Sequence, residues 1–109
     1  MDAQPQTLKD LQVSIKEIDA LRLSKNLTDS EREALDLTAV ALRDSERKAI
    51  AIMQKQWIKD IEEQTATISA QARTIRARVT KMNKTSKILD QIESAIKTAV
   101  KIIAAIAKW

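Results

Sequence analysis

The sequence contains no glycine, cysteine, histidine, tyrosine or phenylalanine, and its single proline is Pro5. Phosphate-binding loops need glycine because only a residue without Cβ lets the backbone turn closely around a pyrophosphate, so P-loop and dinucleotide fingerprints are excluded. Without cysteine or histidine there is no disulfide framework, zinc knuckle, haem ligand, thiolate nucleophile or Ser-His-Asp triad. We therefore expect a protein that is not an enzyme and has no catalytic, metal-binding or cofactor-binding residues.

Long apolar runs are missing as well. The longest stretch without a charged residue, 64–72, has nine residues and includes Gln, Thr and Ser. A membrane-spanning helix needs about 20 apolar residues. The first residues also lack the basic and apolar regions of a secretory signal. These features predict a cytoplasmic protein that does not span a membrane.

The residues that are present favour helices over strands. Ala, Leu, Lys, Glu, Gln and Arg dominate, and the aromatic residues amount to two tryptophans. The first helix is expected over residues 7–25. It is expected to end there because the next residue, Asn26, tolerates the left-handed backbone found at helix ends. Its apolar residues alternate at three and four spacing: Leu8, Leu11, Ile15 and Ile18.

A second helix begins at the clearest local signal in the chain, the capping-box pattern from Thr28 to Glu31. From Leu35 to Met82 the apolar residues keep one phase on a helical wheel, and neither glycine nor proline interrupts them. The pattern predicts one helix over residues 29–82, about 80 Å long at the standard rise. A bend near Asp44-Ser45 is the alternative.

A third helix is expected over residues 86–108. Its apolar face is about 180° wide, which suits a helix surrounded by several neighbours. The fold class is then all-α, a single domain over residues 1–109. We expect an elongated hairpin or bundle of three helices, with one long central helix and coiled-coil-like packing.

The expected helix lengths indicate self-association. Outer helices of about 28 and 35 Å cannot cover a central helix of about 80 Å, so apolar surface is left over. Such surface is buried against a second copy or another helical protein. The sequence therefore predicts a non-enzymatic interaction or scaffolding module. The expected contact residues form a seam with mostly seven-residue spacing: Trp57, Ile61, Ile68, Ile75 and Met82.

One alternative function uses the C-terminal helix at a membrane surface. Lysines on one strip, Ile and Ala opposite and a terminal Trp are typical of cationic amphipathic helices that lie in the interface. Packing in the core is the competing and favoured use of the same face. The residues expected to contact a membrane are Ile96, Lys97, Lys101, Ile103, Lys108 and Trp109.

A third function is nucleic-acid binding through a basic segment. Residues 64–109 hold nine basic and two acidic residues, and basic side chains neutralise phosphates. On one helix, however, these cations flank the apolar stripe on both sides, which favours a solvated surface. The candidate phosphate contacts are Arg73, Arg76, Arg78, Lys81, Lys84 and Lys87.

Overall fold

The structure, a computed structural model, describes residues 4–54, 61–82 and 88–109, with the backbone alone for residues 61, 62 and 64. Of the described residues 87% are helical, and they form no strand. The four helices are α1 (Gln4–Arg22), α2 (Asp29–Met53), α3 (Ile61–Thr80) and α4 (Leu89–Ala107). The all-α prediction is confirmed, whereas the expected number of helices is wrong.

Helices α1 and α2 run antiparallel. Arg22, at the end of α1, bonds through Nε to Oδ1 of Asp36 at 2.9 Å. Asp19, one turn earlier in α1, bonds to Arg43, which lies about two turns further along α2, also at 2.9 Å. Because the earlier residue of α1 meets the later residue of α2, the two helices point in opposite directions.

The remaining helices complete a bundle. Glu33 near the start of α2 pairs with Arg78 near the end of α3 at 2.8 Å, so these helices are antiparallel too. Lys48 near the end of α2 donates to Thr65 near the start of α3 and to the Ala107 carbonyl at the end of α4. Each helix packs on the next, α4 packs on α1, and α2 meets α4 across the centre. The fold is an up-down-up-down four-helix bundle.

The single helix expected over residues 29–82 is wrong. Helix α2 ends at Met53 and α3 begins at Ile61, and the bundle is 45 Å long rather than about 80 Å. The phase of the apolar stripe continues because both helices present that stripe to one core. Tertiary burial outweighs the local absence of helix breakers, since most helical stability in proteins comes from packing. Asp44 and Ser45 lie inside α2, so the helix is not interrupted there.

The connection from α1 to α2 forms much as expected. Asn26 has φ 69°, the left-handed conformation that asparagine tolerates better than most residues, although α1 already ends at Arg22. Thr28 accepts from the Glu31 N–H at 3.1 Å, and the Glu31 carboxylate accepts from the Thr28 N–H at 2.9 Å. This capping box confirms the predicted start of α2.

Among the described helices, α4 supplies the largest share of the buried apolar residues. It packs against α1, α2 and α3, which confirms that its broad apolar face requires several neighbours. Burying each isoleucine side chain contributes about 1.5–3 kcal/mol. The residues of α4 that are at most 5% exposed are Leu89, Ile92, Ala95, Ile96, Ala99, Val100, Ile103 and Ile106.

Lys48 is a buried cation in this core. It is 2% exposed, and its Nζ donates to Thr65 Oγ1 at 2.7 Å and to the Ala107 carbonyl oxygen at 3.0 Å. Neither acceptor is a carboxylate. The carbonyls at the end of α4 carry partial negative charge, which favours a cation there. Desolvation nevertheless lowers the pKa of Lys48, so the charged form is disfavoured by folding.

We expect Lys48→Met to raise the free energy of unfolding at neutral pH by about 1–2 kcal/mol, because it removes a buried charge while keeping a long side chain. The advantage should shrink as pH rises through the folded pKa towards the ordinary value of 10.5. Over that range the unfolded chain holds the proton and the folded chain does not, so the wild type gains stability. Urea unfolding followed by circular dichroism at neutral and alkaline pH measures both effects. Lys16→Met, at an exposed position on α1, is the control, and a pH-independent difference for Lys48→Met would contradict the assignment.

Candidate interaction surfaces

The described residues of the seam predicted for self-association lie inside the bundle. Ile68, Ile75 and Met82 are 1%, 0% and 4% exposed and pack in the core. They are buried because α3 folds back onto α2 and α4, so no surplus apolar stripe is left along them. Trp57 and the side chain of Ile61 lie outside the described residues. The described part of this seam therefore has no surface to offer a partner.

The residues predicted for membrane contact are divided between core and surface. Ile96 and Ile103 are fully buried, and Trp109 is partly buried against the core. Only the three lysines, Lys97, Lys101 and Lys108, are exposed. The apolar face of α4 is thus covered by the other helices. Among the described helices, none has both the length and the apolarity to cross a bilayer.

The predicted phosphate contacts split between two sides of α3. Arg73, Arg76, Arg78 and Lys81 are all exposed, while Lys84 and Lys87 lie outside the described residues. Arg78 faces α2 and pairs with Glu33 at 2.8 Å. Arg76 instead lines a groove beside α4.

The outer face of α2 forms a surface that the sequence analysis missed. We call it the α2 ridge. Its residues are all exposed and follow each other at alternating four and three spacing, which places them on one face of the helix. Carboxylates precede a central valine and arginines follow it. The α2 ridge consists of Asp29, Glu33, Asp36, Val40, Arg43 and Arg47.

Two features make Val40 the centre of this surface. Its side chain is 55% exposed, and it lines a groove of about 630 Å³ between α2 and α3 together with Leu37 and Ala70. Thr67, Gln71 and Thr74 complete the α3 wall. The hydroxyls of the two threonines already donate to the Glu63 and Ala70 carbonyls at 3.0 Å. An apolar group entering the groove would therefore break no hydrogen bond of these threonines.

Three charges of the ridge form ion pairs with α1 and α3. Arg22 forms ion pairs with Asp19 at 3.2 Å and with Asp36 at 2.9 Å. Asp19 also forms an ion pair with Arg43 at 2.9 Å. Asp36 and Arg43 remain about half exposed, at 52% and 50%. Only Oδ1 of Asp36 is used in its ion pair, so Oδ2 can accept from a partner.

A second groove, of about 400 Å³, lies between α3 and α4. We call it the α3–α4 groove, and it brings together Arg76 from the predicted phosphate contacts with Lys97 and Lys101 from the predicted membrane contacts. Periodicity on single helices could not show this, because the two sets are about 20 residues apart and meet only through packing.

Within the described ranges, no three carboxylate side chains come together in an arrangement that could hold a metal ion. Searches of family models, curated proteins and solved structures give no match to this chain.

We expect Asp19→Asn to destabilise the protein by about 0.5 kcal/mol at neutral pH, as is usual for an exposed pair. The hydrogen bond from Arg43, and then that from Arg22, lowers the pKa of Asp19. A lowered carboxyl pKa contributes stability above the unfolded value, and this is lost as pH falls through the folded pKa. Chemical unfolding at neutral and acidic pH should show the variant and the wild type converging in acid. Asp10→Asn, on the exposed face of α1, is the control.

Proposed function

We propose that this protein is a non-enzymatic interaction module that pairs with a second copy of itself through the α2 ridge. The observation that carries the proposal is the order of charges along the ridge. Three carboxylates precede Val40 and two arginines follow it, all on one exposed face. Because of that order, the ridge is complementary in charge to the ridge of a second copy that runs in the opposite direction.

Two-fold symmetry explains why this order matters. When two identical helices cross antiparallel at Val40, residue 33 of one copy faces residue 47 of the other, and residue 36 lies close to residue 43. Each Glu33 then meets an Arg47, and each Asp36 meets an Arg43. A two-fold dimer uses the same patch on both subunits, so a surface must be self-complementary in this sense. A parallel arrangement would oppose like charges.

The groove beside the ridge supplies the apolar part of the contact. Val40 of the second copy would lie in the groove of the first, against residues that include Leu37, Ala70, Thr67 and Thr74. Val40 of the first copy would lie in the groove of the second in the same way. Apolar contact gives most of the affinity, while the charges set orientation and partner. The described ridge thus supports a module whose task is to hold two copies in a fixed geometry. Residence in the cytoplasm is part of this proposal.

Val40→Asp tests the centre of the contact. We expect the wild type to sediment as a dimer and the variant to dissociate at least about tenfold more readily, since a buried anchor contributes more than about 1 kcal/mol. Val13→Asp is a matched control, because Val13 is 58% exposed on α1. Circular dichroism confirms that both variants fold. A wild type that stays monomeric at about 1 mM would exclude the dimer, because its free energy of association would be weaker than about 4 kcal/mol.

Charge reversal tests the orientation. Glu33→Lys alone places a new cation against Arg47 of the other copy, and Arg47→Glu alone places a new carboxylate against Glu33, so each variant should be monomeric by sedimentation. In an equimolar mixture the introduced lysine faces the introduced glutamate at one contact, and Arg47 faces Glu33 at the other. Both contacts then have opposite charges, so the mixture should form a one-to-one heterodimer. Lys16→Glu, with the same change in charge as Arg47→Glu, should leave the dimer intact. Failure of the mixture to associate, with both variants folded, would contradict the antiparallel arrangement even if a dimer exists.

A further inference from the structure

The α3–α4 groove combines charge and apolar surface in one place. Its cations are Arg76 on α3 and Lys97 and Lys101 on α4, all exposed. The two lysines are one helical turn apart, about 6 Å along the axis. Arg76 lies on the opposite wall, so an anion between the walls would meet cations from both helices.

Carboxylates do not compensate these cations as they do others on the surface. Arg22, Arg43 and Arg78 all form ion pairs with carboxylates. Across the described ranges, Arg76, Lys97 and Lys101 take part in no such pair. Glu93 is the nearest acidic residue along α4 and lies half-buried, one turn before Lys97. It does not line the groove, so the charged residues that line the groove are all cations. An anionic ligand is therefore electrostatically favoured there.

The rest of the groove is apolar. Val79, Ile96 and Val100 line it, and Val79 is partly exposed while the other two are buried. Thr80 also lines it, but its hydroxyl already donates to the Arg76 carbonyl at 2.9 Å. Inorganic phosphate or a nucleic-acid backbone would use the cations and leave the apolar wall without a partner. A ligand that uses both parts has an anionic head and an alkyl chain.

We propose that the α3–α4 groove binds a single-chain anionic amphiphile, with its phosphate or carboxylate head between Arg76 and the two lysines. Its alkyl chain lies against Val79 and Val100. The volume of about 400 Å³ is within the range of small-molecule sites, which occur between the helices of bundles. The ligand is taken as a single molecule and not as a bilayer, because the broad apolar face of α4 is already buried in the core. This site is on a different face from the α2 ridge and does not depend on the dimer.

Three probes separate the head from the chain. Octyl phosphate, inorganic phosphate and octyl glucoside are titrated into the ¹⁵N-labelled full chain below the concentration at which micelles form. We expect octyl phosphate to shift the amides around Val79 and Val100 and to bind at least about tenfold more tightly than either other probe, a difference of about 1.4 kcal/mol. Equal affinity for octyl phosphate and inorganic phosphate would overturn the role of the chain.

The location of the shifts is a second test. A groove of about 570 Å³ between α1 and α4 carries the acidic residues Glu17 and Asp90, so it provides a comparison of opposite charge in the same molecule. Shifts concentrated there would overturn the proposal. So would binding to anionic phospholipid vesicles or duplex DNA by a chain that does not respond to octyl phosphate.

Variants test the two halves of the site. Lys97→Glu with Lys101→Glu should weaken octyl phosphate binding at least about tenfold. Lys9→Glu with Lys16→Glu, on the exposed face of α1, makes the same change in net charge and should have little effect. Val79→Thr, which keeps the shape and adds a hydroxyl, should weaken octyl phosphate but not inorganic phosphate, with Val13→Thr as its control. Equal losses from the two lysine pairs would show attraction by net charge alone and overturn the site.

Discussion

The structure depends on one constraint, which is that a chain of 109 residues must bury the wide apolar face of α4. That face includes Ile92, Ile96 and Ile103, each fully buried, and one neighbouring helix cannot cover it. Helices α1, α2 and α3 surround it instead, and α2 meets α4 across the centre of the bundle. The need to cover α4 also explains why residues 29–82 form two antiparallel helices. One straight helix would place half of its apolar residues too far along its axis to contact α4.

This arrangement also decides what remains outside. Once the apolar stripes are buried within one chain, the outer face of each helix is free to carry other patterns. On α2 the pattern is a reversal of charge around Val40, and between α3 and α4 it is a set of exposed cations beside an apolar wall. Both depend on rigid helices that fix the spacing of the side chains. The proposed self-association therefore depends on complementary charge around Val40 and not on surplus apolar surface.

Lys48 shows that the burial of apolar surface does not account for every residue in the core. Its apolar stem lies in the core, while its amino group donates hydrogen bonds from α2 to Thr65 of α3 and to the Ala107 carbonyl of α4. Desolvation, which lowers the pKa of this lysine, opposes the arrangement. In return, the hydrogen bonds fix the relative position of three helix ends.

The sequence by itself determined the helical class, the capping box at Thr28 and Glu31, the left-handed backbone at Asn26 and the many-sided packing of α4. These follow from local stereochemistry and from the angular width of an apolar face, and both can be read within one segment. Only the tertiary structure decided where residues 29–82 divide, that Ile68, Ile75 and Met82 are internal, and that Arg76 and Lys97 line one groove. A helical wheel gives the direction in which a side chain points from its own axis. It does not say which other helix lies in that direction, because that is settled by the competition of all four helices for one core.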